Sequence, residues 1–160
     1  MTRLLIWSTV FAFLVDQASK YAVVHGLELS RIRAIDVFPP LLNFRYGENR
    51  GINFGLLAGN SEAARWVLIV FSLIVVGAVI YWVWRWHPTR RMALAAGLLA
   101  GGALGNVADR LIYGYVLDFL NVSCCGINNP FVFNLADVFI FAGAIGLVIF
   151  DSRTKGKDKP

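Results

Sequence analysis

Residues 92–112 read MALAAGLLAGGALGNVADRLI, an apolar run that closes on Asn106, Asp109 and Arg110. About 20 helical residues cross a bilayer, so this stretch is expected to form a transmembrane helix. Ala93, Gly97, Gly101 and Gly105 recur at every fourth position, a stripe of small side chains that lets a neighbouring backbone come close. Asp109 continues the same helical row, so the stripe is expected to carry the polar end of the helix into the protein interior and away from lipid.

The rest of the chain agrees with this solvent. Of 160 residues, 58% are hydrophobic and 16% charged, and the mean hydropathy is +0.62. That composition points to an α-helical polytopic membrane protein. Three more apolar stretches, at about 4–24, 66–86 and 131–150, bring the expectation to four transmembrane helices in a single domain covering 1–160. Arg3 ahead of the first stretch also suits a cleaved signal peptide. Asp16 and Lys20 interrupt that run, however, and no small-x-small cleavage site follows, so it is counted as a span.

Basic residues set the orientation. Arg3, the Arg85/Arg90/Arg91 turn and the Arg153/Lys155/Lys157/Lys159 tail share one side if both termini are cytoplasmic, and the loop 113–130 holds no Lys or Arg. The segment at about 25–65 is then extracytoplasmic despite Arg31, Arg33, Arg45, Arg50 and Arg65, as long external segments translocate regardless of charge. The net charge of +5 is thus accounted for beside apolar runs, and no nucleic-acid partner is expected. Trp66, Trp82, Trp84 and Trp86 bracket the second span as an interfacial belt does.

Within the outer segment, Leu42, Phe44 and Tyr46 alternate with Asn43 and Arg45 after Pro39-Pro40, which predicts a strand in a small extracytoplasmic β-sheet. Asn60 or Ser61 can cap the second helix, with Glu62 in its first turn. Adjacent Cys124 and Cys125, with only His25 and His87 elsewhere, make no zinc spacing, so no metal or cofactor is expected; the cysteines read as free thiols or a vicinal pair.

Asp118 and Asp137 carry the chemistry. An Asp at a membrane helix centre costs roughly 2.5–3.5 kcal/mol, so carboxylates at apolar borders call for a reason. Asp118 follows Gly114-Tyr115, where a glycine is expected to end the third helix, and Asp137 opens the fourth span; both then lie at similar depth. Two neighbouring carboxylates share one proton, and such a dyad activates water with its ionised member. Taken singly, each also reads as a solvated rim residue. Asn106, Asp109 and Arg110 share one helical face, and Asn134-x-x-Asp137 repeats the Asn-x-x-Asp spacing, read as one face of the fourth helix. Asp16 and Lys20, at i and i+4, either neutralise each other or bind substrate. Asn49-Arg50-Gly51-Ile52-Asn53-Phe54-Gly55 combines bend-forming glycines with an asparagine able to hydrogen-bond an extended backbone, as an ordinary loop also does. On residues alone, a proton-coupled transporter relay competes with a hydrolase, although the charges gather near one membrane face.

Five ordered blocks resemble those of the lipoprotein signal peptidases (signal peptidase II): Asp16-Gln17-Ala18-Ser19-Lys20; Asn49-x-Gly51-x-x-Phe54-Gly55; Gly101 to Arg110; Val116-Leu117-Asp118-Phe119; and Phe133-Asn134-Leu135-Ala136-Asp137. The resemblance covers nearly the whole chain and departs at Ile52-Asn53, where many members carry alanines. It implies a four-helix aspartyl protease of the bacterial cytoplasmic (inner) membrane with an extracytoplasmic sheet and loop cradling the substrate. That substrate is a diacylglyceryl-modified prolipoprotein, cut just before its lipidated cysteine. By matching positions, Asp118 and Asp137 are the expected catalytic pair, with Asp16, Lys20, Asn49, Gly51, Asn106, Asp109, Arg110 and Asn134 as site support or substrate contacts. Membrane lipids are its expected surroundings and a monomer its expected state.

Overall fold

A computed structural model describes residues 2–51, 62–85, 89–124 and 129–150. Helix α1 (Thr2–Lys20) continues into a π-helical segment, Tyr21–Gly26, and is followed by the short α2 (Leu29–Ile32). Strands β1 (Ala34–Phe38) and β2 (Leu42–Asn49) lead to α3 (Glu62–Arg85), α4 (Arg90–Tyr113), β3 (Val116–Val122) and α5 (Leu135–Phe150). The strands form one antiparallel sheet in the order β1-β2-β3.

α4 is the central helix, packed against α1, α3 and α5, and the small-residue stripe explains how. Positions 97, 101 and 105 on α4 face Ser8, Ala12 and Asp16 on α1, a second row of every fourth residue. A Cβ on Gly101 would lie 2.7 Å from Ala12 Cβ, and one on Gly105 would lie 2.6 Å from Asp16 Oδ2. Continued by one turn, the two rows bring Lys20 against Asp109. On the far side of α4, Gly143 of α5 approaches equally closely: a Cβ there would sit 2.6 Å from Leu99 N. Backbone contact of this kind maximises dispersion where lipid offers no hydrophobic drive between helices.

Thr89 caps α4 by accepting Met92 N–H at 3.2 Å, and Gly114 ends it at φ 83°, donating its N–H to Arg110 O at 3.1 Å. A left-handed residue at this position favours glycine, so the expected stop is realised where the chain must swing from α4 into β3. α3 and α4, at 24 residues each, are long and apolar enough to cross a bilayer. α1 carries two buried charges and α5 has 16 residues. The expected fourth span at 131–150 is therefore shortened from its start: Phe133 bridges Leu120 of β3 instead of joining a helix. Leaving the helix lets Phe133 exchange backbone hydrogen bonds with β3, while Phe131 O accepts from Asn121 and Phe131 N–H donates to Asn129.

α3 leaves Phe71, Ile74, Tyr81 and Trp84 exposed, an outward apolar face. Trp82 departs from the simple belt reading, since it packs on the core around Val83, Met92 and Leu99. Trp86, the cap candidates Asn60 and Ser61, and the basic tail lie outside the described residues.

β2 forms where the alternation placed a strand, but its burial is not a clean two-sided pattern. Asn43 is the buried position, and the β2–β3 register shifts between Phe44 and Gly47. Phe44 still meets Phe119 edge to face at 5.8 Å, and the Tyr46 and Tyr115 hydroxyls are 3.3 Å apart. These side chains join Val24, Leu29 and Leu117 in a core between the sheet and the end of α1. The arginines of this segment are answered locally: Arg31 pairs with Glu28, Arg45 with Asp36, Arg50 with Glu48 and Arg65 with Glu62, while Arg33 lies over the Tyr46 ring.

Gly101→Val is expected to lower the thermal unfolding midpoint in detergent strongly, at a cost of about 1–3 kcal/mol or more for overpacking. Gly77→Ala is the control: a Cβ there meets nothing within 4 Å, so its midpoint should stay close to the parent's.

Candidate active site

The site is assembled from two buried layers. The lower layer is Lys20 between two carboxylates, with Nζ 2.8 Å from Asp16 Oδ2 and 2.8 Å from Asp109 Oδ2. All three side chains are essentially sealed from solvent. Mutual neutralisation is thus the geometry of Asp16 and Lys20, with Asp109 as a third member. Gln17, which the sequence did not single out as a site residue, donates to Asp109 Oδ1 at 2.9 Å and to Asp16 Oδ2 at 3.1 Å. Its signal in the sequence was a polar side chain beside Asp16 inside an apolar run.

Each of these two aspartates also holds a backbone N–H. Asp109 Oδ2 accepts from Leu117 N at 3.0 Å, and Asp16 Oδ1 accepts from Ala136 N at 2.8 Å. Leu117 immediately precedes Asp118 and Ala136 immediately precedes Asp137. The lower layer therefore grips the chain one residue before each member of the upper pair.

In the upper layer, Asn134 is the N-terminal cap of α5 and not, as the spacing suggested, a residue on its face. Its Oδ1 accepts Asp137 N–H at 3.0 Å, and Asp137 Oδ2 accepts Asn134 N–H at 3.3 Å. This reciprocal arrangement is a capping box, in which a residue three positions into the helix closes back on the cap. Asn-x-x-Asp at a helix start meets that chemistry as readily as it meets a helical face.

The two carboxylates are then linked through amides. Asn134 Nδ2 donates to Asp118 Oδ1 at 2.6 Å and to Asn106 Oδ1 at 3.2 Å, and Asn106 Nδ2 donates to Asp137 Oδ1 at 3.0 Å. Asn106 Oδ1 also accepts from Lys20 Nζ at 3.2 Å, which ties the two layers together. Asn49 hydrogen-bonds Asp118 from β2, and its Oδ1 accepts Gly51 N–H at 3.1 Å in a tight turn where Gly51 has φ 106°. Arg110 donates to Asn106 O at 3.4 Å, and its positive charge is felt by Asp118, Asp137 and Asp109. All ten sequence candidates thus belong to one connected region. Ile52-Asn53-Phe54-Gly55 lies outside the described residues.

Burial pushes the Asp118 carboxyl up, and the neighbouring negative charge of Asp137 pushes it further, to about 7. Hydrogen bonds from Asn134 and Asn49 and the charge of Lys20 act in the opposite sense. A carboxyl so placed beside a second carboxylate keeps a proton near neutrality, an arrangement that suits general acid–base hydrolysis. Among the described residues, no three His, Cys, Asp or Glu side chains are grouped to hold a metal ion. Cys124 is disulfide-bonded, and Cys125 falls outside the described residues.

A sequence profile of the family described as signal peptidase (SPase) II matches residues 8–152. The chain belongs to the signal peptidase II family. It is accordingly a peptidase, a hydrolase. The lipoprotein signal peptidase of Shewanella pealeana is 42% identical, over 95% of this chain and 87% of its own length. That of Aeromonas hydrophila is 38% identical, over 95% of this chain and 90% of its own. A solved bacterial membrane enzyme superposes with a TM-score of 0.78 at 28% identity, covering 98% of this chain and 93% of its own. The helical architecture with its small sheet is therefore that of a membrane enzyme.

Lys20→Met should expose how much the lower layer depends on its cation. It leaves two buried carboxylates without a counter-charge, and the expected loss is about 3–5 kcal/mol in unfolding free energy, read from denaturation in detergent.

Proposed function

We propose that this chain is a membrane aspartic endopeptidase that removes signal peptides from diacylglyceryl-modified prolipoproteins, cutting just before the lipidated cysteine, with Asp118 and Asp137 as its catalytic pair. The observation that carries this reading is the joint suspension of the two carboxylates from Asn134 and Asn106. Together with the Asp118 carboxyl held near neutrality, it supports a pair that retains one proton and one charge.

In the reaction, the ionised member takes a proton from a water molecule lying against both carboxylates, and the resulting hydroxide adds to the scissile carbonyl. The protonated member donates a hydrogen bond to the developing oxyanion while keeping its proton, and collapse of the tetrahedral intermediate expels the amine of the cysteine, which takes up from the pair the proton that water gave it. Water is the only co-reactant, and the pair returns to its starting proton count. Asn106 and Asn134 orient the carboxylates, Asn49 steadies Asp118, and Arg110 offsets the local negative charge. Asp16, Lys20 and Asp109 hold the backbone that presents the pair.

Four helices, α1, α3, α4 and α5, cross the bacterial inner membrane in this reading, with both termini cytoplasmic and the sheet and pair at the outer face. Internal pairing of Asp16 and Lys20 makes α1 compatible with that depth, because neither charge has to face lipid. Substrate arrives laterally as a monomeric enzyme's lipid neighbour: its acyl chains stay in hydrocarbon while the peptide bond reaches the pair.

Incubation of purified protein with lipidated precursor should yield the cleaved signal peptide, and unlipidated precursor should stay uncut. Asp118→Asn and Asp137→Asn should each abolish cleavage while remaining folded; normal processing by either would refute the assignment. Cleavage should also decline as pH rises through about 7, where the shared proton is lost. Asn49→Ala removes a hydrogen bond that favours ionised Asp118, so it should move this limb to higher pH in a pH–rate profile.

A further inference from the structure

A groove of about 410 Å³ runs between α1 and α4, walled by Val10, Phe13 and Leu14 on one side and by Leu104, Val107 and Leu111 on the other. Thr9 also borders it, but its hydroxyl is spent on Leu5 O at 2.9 Å, so it turns no free donor toward the space and gives water no anchor. Val10, Leu14 and Leu111 are exposed, which leaves the groove open to its surroundings. Leu104, Val107 and Leu111 stand at i, i+3 and i+7, a row of α4 separate from the Asn106 and Arg110 face that serves the carboxylates.

In the orientation proposed above, α4 runs outward from Arg90 to Tyr113, so residues 104–111 lie in its outer half. Gly114 follows Leu111 by three residues, and there Arg65 of α3 crosses: its Nη1 lies 3.6 Å from where a Cβ on Gly114 would be. Arg65 Nε is buried and has no hydrogen-bond partner among the described residues. Nη2 pairs with Glu62 Oε1 at 3.0 Å, and the guanidinium carbon is 5.4 Å from the centre of the Trp66 ring. Glu62 is largely exposed, so that pair is weak, and it leaves the Nε edge of the guanidinium unmet. A buried N–H without an acceptor is costly, and the guanidinium fork is shaped to receive a phosphate. Trp66 is exposed beside it, as indoles are at the level of lipid headgroups.

We propose that this groove holds an acyl chain of an outer-leaflet phospholipid whose phosphate accepts from Arg65. The inference rests on the membrane placement proposed above and not on the reaction. A chain seated in the groove regains dispersion contacts that an empty groove forfeits. The diacylglyceryl group of a precursor offers chains but no phosphate and does not answer Arg65; a phospholipid answers both. Bound in this way, one lipid joins α1 and α4 through its chain and α3 through its headgroup.

Native mass spectrometry of the delipidated protein in detergent, titrated with dioleoylphosphatidylglycerol or with dioleoylglycerol, tests both halves of the site. The parent should take up phosphatidylglycerol one to one, and dioleoylglycerol, with the same chains and no phosphate, about tenfold or more weakly. Arg65→Gln should weaken phosphatidylglycerol about tenfold and leave dioleoylglycerol within about twofold. Val10→Trp, which fills the groove from its open wall, should weaken both lipids, whereas Val148→Trp, the same change on the exposed face of α5, should weaken neither. Thermal midpoints recorded alongside confirm that each variant is folded. Phosphatidylglycerol bound equally by the parent and a folded Arg65→Gln, or by the parent and a folded Val10→Trp, would overturn the site. Dioleoylglycerol bound as tightly as phosphatidylglycerol would put an uncharged lipid, such as the precursor's own, in the groove and overturn the phospholipid assignment. A parent protein that fails to sediment with vesicles of phosphatidylglycerol and phosphatidylethanolamine after reconstitution would overturn the membrane placement, and the lipid site with it.

Discussion

Lys20 Nζ lies between two buried carboxylates, at 2.8 Å from each, and the placement of the whole site follows from that cluster. An ammonium group in a nonpolar interior is tolerated only when it is paired and its partners are fully hydrogen-bonded. Here the remaining oxygen positions of Asp16 and Asp109 are used by backbone N–H groups from α5 and β3 and by Gln17. Three elements far apart in sequence are thereby joined at one point. Asp16 serves α5 from outside that helix, since Ala136 N is one of the first-turn donors that the helix leaves without an internal acceptor.

The same cluster explains why small residues line α4. Asp16 reaches its partners because Gly105 has no side chain in the way, and the α1–α4 approach that allows this is kept along Gly97 and Gly101. Packing and the geometry of the proposed site are therefore not separable along this helix: a larger side chain in the stripe would move Asp16, and with it the start of α5. The wedge of close contacts continues into Gly143, which brings α5 against the opposite face of α4. A rigid three-helix core then supports carboxylates that sit at a helix start and on a strand, where backbone N–H groups and asparagine amides are available to hold them.

Asp118 illustrates how the sheet contributes. Alternation along β3 sends Leu117 and Phe119 to the core beneath the sheet and Asp118 to the other face, toward Asn134. The carboxylate is buried but not abandoned, with amide donors from β2 and from the α5 cap. That balance holds its proton near neutrality: burial and the Asp137 charge outweigh the donors without cancelling them.

Much of this was legible in the chain itself. The helix at 92–112, its small-residue row, the Gly114 stop, the strand at Leu42–Tyr46 and the acid-before-base pair at 16 and 20 follow from local rules of length, period and spacing, which act between residues close in sequence. The ionisable candidates stood out too, because charged groups are conspicuous against apolar sequence. What tertiary structure alone decided is which of them touch. The capping role of Asn134, the hold of Asp16 on Ala136 across 120 residues, the third partner of Lys20 and the position of Gly47 opposite Asp118 depend on how α1, α4, α5 and the sheet pack. A periodic pattern specifies the face of an element; only close packing against other elements specifies what that face meets.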